Sequence, residues 1–221
     1  MENELLVAPG YRVVDYLLVL QPHEELWNTI MEIKKKFAKD YECETALYTK
    51  PHITLVRFRQ IEMMETRIIQ QLKNITMTLS PIKVELKEFG SFPSHTIYIN
   101  ITSKVPIVNM VKALRAPQKL MKLDKDNKPH FITEPHLTIA RKLQPWQYEK
   151  SWLEFEHKHF HGRFIADHAL LLKRREGNKA YQIARKFVFQ NAQVETKQGE
   201  LFMPLPLKGC KKMFEIIKPF Q

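Results

Sequence analysis

A five-residue phrase occurs twice in this chain, and the duplication constrains its fold more than any other feature. Pro51-His52-Ile53-Thr54-Leu55 returns 84 residues later as Pro135-His136-Leu137-Thr138-Ile139, with Arg57 and Arg141 close behind. Polar and apolar residues alternating with a period of two mark a half-buried strand. His and Thr then share one face, while Ile53 and Leu55, or Leu137 and Ile139, share the other. Each copy anchors itself in a core and presents an imidazole beside a hydroxyl. Two such strands brought together supply two histidines, two hydroxyls and no carboxylate, which suits acid/base chemistry on a phosphate.

The elements around the motifs repeat too. The apolar run Val13 to Leu20 reads as a buried strand. Pro22 opens a helix whose core stripe is Leu26, Ile30, Ile33 and Phe37. The first motif strand is expected over 48–58. A helix over 61–73 follows, with Ile61, Met64, Ile68 and Leu72 inward. Alternating runs over 82–87 and 96–101, joined through Gly90 and Pro93, predict a hairpin. Pro106 then opens a helix with Ile107, Met110, Val111 and Leu114 on one side, and a basic loop over 119–128 leads to the second motif strand over 131–141. Pro145 opens a helix through Trp152, and strands over 164–173 and 180–189 flank the Glu176-Gly177-Asn178 turn.

The order helix, motif strand, helix, strand pair therefore appears twice. It predicts an α+β domain over 1–189, built of two lobes over about 1–102 and 103–189 with exchange of strands allowed. A C-terminal extension, 190–221, contains Pro204 and Pro206 and a candidate short helix over 213–217.

Composition narrows the partners. The 221 residues carry 35 Lys plus Arg against 24 Asp plus Glu, a net charge of +11. Such an excess favours polyanions through phosphate contacts and counterion release. No apolar run reaches about 18 residues, so no membrane span is expected. The N-terminus carries acids where an export signal needs basic residues. Cys43 and Cys210 stand alone, which favours reduced thiols and a cytoplasmic location. A monomer is expected.

Two histidines can divide proton transfer. One neutral imidazole takes a proton from the attacking hydroxyl or water, while a protonated one donates to the leaving oxygen. Thr54 and Thr138, two residues along on the same faces, can donate hydrogen bonds to non-bridging phosphate oxygens. Nothing in this scheme calls for a metal or another cofactor. A single His-x-Thr would carry little weight, but two copies in one Pro-aliphatic frame carry much.

The pair PHITL and PHLTI resembles the signature of the two-histidine (2H) phosphoesterase superfamily, which includes RNA 2′,5′-ligase-like proteins and 2′,3′-cyclic phosphodiesterases. The second copy, running His136-Leu137-Thr138-Ile139-Ala140-Arg141, closely resembles the form found in the ligase-like branch. By element order the resemblance covers 11–189. It implies a bilobed, pseudo-twofold α+β fold with antiparallel sheets around a central cleft, and metal-independent cleavage of cyclic phosphates or related 2′,5′-linked RNA or nucleotide diesters. His52 and His136 would be catalytic, with Thr54, Thr138 and Arg141 as phosphate ligands. Regular alternation turns both Arg57 and Arg141 away from the histidines, so each needs a bulge or a strand end to reach the cleft. For Arg141 the resemblance itself supports a place there.

Phe58, Tyr98 and Phe131 are candidate base-stacking residues, and Tyr48, Lys50 and Lys128 candidate rim residues. His157, His159 and His161 would line one face of a strand and could bind zinc, although a solvated cluster is the plainer reading. His130 lacks the hydroxyl two residues on, and His95 and His168 read as structural. There are two alternatives to a metal-independent enzyme: a nucleotide- or RNA-binding module using the same cleft with little turnover, and a metal-dependent hydrolase built on the histidine cluster.

Overall fold

A computed structural model describes residues 11–93, 95–178 and 180–192. The proposed short helix, Pro204, Pro206 and Cys210 lie outside the described residues. The first strand, β1 (Val13–Leu20), coincides with the apolar run. Helix α1 (Glu24–Asp40) begins two residues after Pro22 and buries Leu26, Ile30 and Phe37, with Ile33 packed at the margin. The first motif strand, β2, spans Ile53–Ile61; it starts later than expected because Glu44–Tyr48 forms a 3-10 turn. Ile61 thus ends a strand, and α2 (Glu65–Thr78) begins four residues later with Ile68 and Leu72 inward. The hairpin of β3 (Ile82–Phe92) and β4 (Thr96–Ile101) forms as its alternation predicts.

In the second half, α3 (Lys104–Ala113) and the short α4 (Gln118–Met121) precede the motif. The strand expected over 131–141 is two pieces, β5 (His130–Phe131) and β6 (His136–Ala140). Pro135, which has no N–H to donate, lies in the break. Helix α5 (Pro145–Phe155) carries a Gln144/Gln147 capping box and runs three residues past Trp152. The strand expected over 164–173 is also two, β7 (His161–Ala166) and β8 (His168–Arg175), and β9 (Gln182–Val188) follows. Alternation continues through Asp167 without a Gly or Pro, so the pattern held no signal for a break. It is set by pairing: β7 adds to β3, whereas β8 lies between β1 and β9.

All the described strands belong to one antiparallel sheet ordered β7-β3-β4-β6-β2-β1-β8-β9, with β5 pairing β2. The succession β1-α1-β2-α2-β3 is answered by β4-α3-β6-α5-β8. The last strand of each succession pairs with the first strand of the other, β3 with β4 and β8 with β1. Each half of the sheet therefore draws strands from both halves of the sequence. The halves meet where β2 pairs β6 at Ile53 and Leu137. One face of the sheet joins the helices in a single apolar cluster that includes Tyr16, Phe37, Ile53, Leu55, Ile99, Leu137, Ile139 and Phe155. Alternate residues of the same strands present the other, more open face, on which Val19 and Leu170 are buried and Asp15, Leu17 and Arg174 half-buried. No described helix is long and apolar enough to cross a membrane.

Ile53 and Leu137 are both fully buried at this junction. Ile53→Ala should cost about 2–5 kcal/mol, the range for large-to-small changes in a core. Denaturant unfolding checks it; a loss under about 1 kcal/mol would show that the junction is not a packed part of the core.

Candidate active site

The two motifs are built alike down to the burial of each position. Over 51–57 and over 135–141 the side chains run buried, half-buried, buried, half-buried, buried, buried, exposed. Two consecutive buried residues in a strand signal a break in alternation. Across β1 the partners of Leu18 and Val19 are Val56 and Thr54, so Leu55 is an extra residue. Across β4 the partners of Ile97 and Tyr98 are Ala140 and Thr138, so Ile139 is extra. Both bulges fall three residues after the histidine. A bulge shifts the parity of the residues beyond it, so Arg57 returns to the face of His52 and Thr54, and Arg141 to that of His136 and Thr138.

Both imidazoles are oriented the same way. His52 Nδ1 lies 2.7 Å from the Lys50 carbonyl oxygen, and His136 Nδ1 lies 2.8 Å from that of Glu134. A carbonyl only accepts, so each Nδ1 carries its hydrogen and each Nε2 is the nitrogen left for chemistry. Both pKa values are pushed below the ordinary histidine value, chiefly by burial. Their surroundings then differ. Lys34, Arg141 and His136 push that of His52 further down, whereas the Glu134 carboxylate pulls that of His136 back up. Chemically the arrangement offers two directed Nε2 atoms, two threonines on the same face and arginine charge for an anion.

Lys34 is the residue that the apolar stripe of α1 concealed. It stands four residues after Ile30 and three before Phe37, on the buried face, and it is completely buried. Its Nζ donates to the carbonyls of Ile139 at 2.7 Å and Thr138 at 3.3 Å, and to Thr49 Oγ1 at 3.3 Å. Lys34 thus holds the backbone of the second bulge. Burial, aided by Arg141, draws its pKa down to about 8.

Among the described residues an aromatic wall flanks His136 and not His52. Phe92 stacks on Tyr98 with ring centroids 4.3 Å apart, and the two rings lie 5.0 and 5.2 Å from the His136 ring. Gly90 permits this: a Cβ there would sit 2.7 Å from the Tyr98 ring. Of the aromatic candidates, Tyr98 is therefore beside His136. Phe58 is buried and stacks on Tyr16, while Phe131 is buried beneath the Arg115 guanidinium, so both belong to packing rather than to a rim. Tyr48 is exposed on the 3-10 turn, in a recess lined also by Lys35, Lys39, Cys43 and Lys142. Lys50 and Lys128 are exposed, and Lys50 contributes its carbonyl to His52. Phe92 was not among the aromatic candidates; its signal was its place two residues past Gly90 on a hairpin strand.

His130 opens β5 in register with Arg57 and is exposed, and His95, His157, His159 and His168 have partners of their own. His157 and His159 precede β7 and are almost fully exposed, beside Glu156 and Glu88 respectively. Among the described residues no group of three or more His, Cys, Asp or Glu is placed to hold a metal ion. His95 stacks on Tyr148, and His168 bonds Asp167.

Lys34 also yields a stability test. The folded chain releases its proton near pH 8, whereas an unfolded chain keeps it to about 10.5. The unfolded state binds more protons between those values, so this group's contribution to stability rises with pH across the window, and its charge costs the fold below it. The stability of wild type relative to Lys34→Met should therefore improve by roughly 3 kcal/mol from pH 8 to 10.5. A difference that stays flat in denaturant titrations would mean that the lysine is not depressed.

Comparison with known proteins bears on the fold and the family. A protein of Geobacillus thermodenitrificans named "Putative phosphoesterase" is 26% identical over 78% of this chain and 95% of its own length. Its namesake in Bacillus pumilus is 27% identical over 58% of this chain and 70% of its own length. Escherichia coli LigT complexed with 3′-AMP superposes with a TM-score of 0.55 at 10% identity, over 80% of this chain and 98% of LigT. The protein TT0787 of Thermus thermophilus gives 0.54 at 15% identity, with the same coverages. These two structures share the fold. The sequence pattern of the 2′-5′ RNA ligase superfamily matches residues 22–178, which include both motifs, both bulges and the strands between them, and the chain belongs to that superfamily, with the two-histidine phosphoesterase fold.

Proposed function

We propose that this protein is a metal-independent phosphodiesterase that opens 2′,3′-cyclic phosphates or cleaves related 2′,5′-linked RNA or nucleotide diesters. The observation that carries the reading is the paired Nδ1-to-carbonyl anchoring, which leaves two Nε2 atoms of one site free for proton transfer. His52, surrounded by Lys34 and Arg141, is the better neutral base. His136, beside Glu134, is the better proton donor. In hydrolysis of a cyclic phosphate, water oxygen attacks phosphorus and its proton passes to His52 Nε2. One ring P–O bond breaks, and its oxygen takes the proton from His136 Nε2. Thr54, Thr138 and Arg141 hold the non-bridging oxygens, whose charge grows as the fifth bond forms. The names of the relatives and the nucleotide-bound neighbour support a phosphate ester as the ligand class.

Turnover of 2′,3′-cyclic nucleotides in EDTA is expected. His52→Ala or His136→Ala should lower it by about 100-fold or more. The double variant should lose far less than the product of the two, because the pair acts as a unit. An activated nitrophenyl leaving group should largely rescue His136→Ala and not His52→Ala, since it departs without a proton. Equal rescue of both variants would overturn the assignment of roles. Binding of nucleotides without turnover would favour the binding-module reading.

The pH dependence follows from the same groups. Activity requires one neutral and one protonated histidine, so kcat/KM should be bell-shaped and its limbs belong to the pair. Both free-protein pKa values are depressed, so the bell should centre below about 6.5, the ordinary histidine value. A bound phosphate anion favours the protonated forms, so the kcat profile should shift to higher pH than that of kcat/KM. A kcat/KM optimum above 7.5 would refute this electrostatic picture.

A further inference from the structure

We infer that the open face of the β2-β1-β8-β9 half is a binding track for single-stranded RNA leading into the cleft, a proposal that rests on the phosphodiesterase reading above. Three rows of residues step along this face from the first motif. Thr54 lies in register with Val19, Leu170 and Lys186; then Arg57 with Leu17, Leu172 and Ile183; then Arg59 with Asp15 and Arg174. Every row carries at least one cation. Asp15 is shared by two guanidinium groups, Arg174 at 2.8 Å and Arg59 at 3.3 Å. The Arg59 approach lacks hydrogen-bond alignment, which leaves its buried Nε–H without a partner. Glu176 also reaches Arg59, at 3.7 Å, from a largely exposed position.

The opposite face of the same strand is balanced differently. Lys173 and Arg175, the alternating neighbours of Arg174, point to the helix side. There Lys173 meets Glu65 at 3.0 Å and Arg175 meets Glu62 at 2.8 Å. Cations on that side are matched by carboxylates, whereas those on the open side exceed the acids beside them. Tyr181 adds an aromatic surface. The Arg174 guanidinium lies over its ring, 4.8 Å from the centroid. Arg57 and Arg141 are also close enough to oppose the upward push of burial on its hydroxyl. The ring therefore stands in the Arg59–Arg174 row. Guanidinium charge in rows beside a tyrosine is the chemistry that tracks a phosphate backbone and stacks a base. A mononucleotide would fill only the cleft; the nucleotides preceding its phosphate would lie on the track.

The test compares a 2′,3′-cyclic mononucleotide with a short RNA ending in the same cyclic phosphate. Arg174→Ala and Arg59→Gln should each raise KM for the RNA by about fivefold or more and flatten its salt dependence by about one charge. Neither should change mononucleotide kinetics. Each leaves Asp15 one arginine partner, and thermal melts verify folding. Arg175→Ala removes the same charge from the same strand on the other face and should leave both substrates unaffected. Fluorescence anisotropy with a labelled, uncleavable oligonucleotide ending in a 3′-phosphate reads the track without turnover. If the mononucleotide is cleaved and RNA affinity ignores Arg174→Ala and Arg59→Gln, or responds equally to Arg175→Ala, the track is wrong and the phosphodiesterase reading stands. If neither substrate turns over, the enzyme reading fails. Anisotropy then decides the track: selective weakening by the open-face variants supports it, and uniform binding overturns it.

Discussion

Everything chemical in this structure depends on one backbone pairing, Ile53 with Leu137. Each residue follows its motif histidine directly, and both side chains are fully buried. The pairing is strong because it is part of the core, where burial of a side chain such as isoleucine contributes roughly 1.5–3 kcal/mol. Since alternate strand residues point to opposite faces, burying Ile53 and Leu137 turns His52, Thr54, His136 and Thr138 to the open side. Hydrophobic packing thereby positions polar groups that have little reason of their own to come together. Two imidazoles and several arginines repel when protonated, and the core supplies the energy that keeps them close.

A site made of two equivalent halves would treat both sides of a phosphorus atom alike, yet ester cleavage needs an acid on one side and a base on the other. Asymmetry enters through the surroundings rather than the motifs. Lys34 has no counterpart reaching the first bulge among the described residues, and the Phe92–Tyr98 wall adjoins only His136. Glu134 stands on the His136 side as well. The cost is visible in Lys34, a cation placed where water cannot reach it. It is tolerated because three oxygens accept from it, since an unpaired buried charge would be far more expensive.

Exchange of strands between the two successions has a physical consequence. Because β3 pairs with β4 and β8 with β1, neither half of the sheet is completed by a continuous stretch of chain. The strands that border the motif strands, β1 and β4, are themselves flanked by β8 and β3. A change anywhere in this succession can be felt at the bulges, which exist only as mismatches against β1 and β4.

The sequence by itself determined the local order and the chemistry. Repetition of Pro-His-x-Thr carried the reactive groups, and the spacing of apolar residues carried β1, α1, the β3–β4 hairpin and α3, because those patterns answer to a single buried face. It also posed the parity problem of Arg57 and Arg141 without solving it, since the consecutive apolar pairs Leu55-Val56 and Ile139-Ala140 become bulges only against the register of a partner strand. Tertiary structure decided the rest. Pairing with different neighbours cut one alternating run into β7 and β8. Burial sent Phe58 and Phe131 to the core and brought Tyr98 to His136. Packing of α1 on β6 turned an unremarked lysine into the anchor of the second motif. These outcomes depend on contacts between residues far apart in the chain, and such contacts exist only once the sheet has closed around its core.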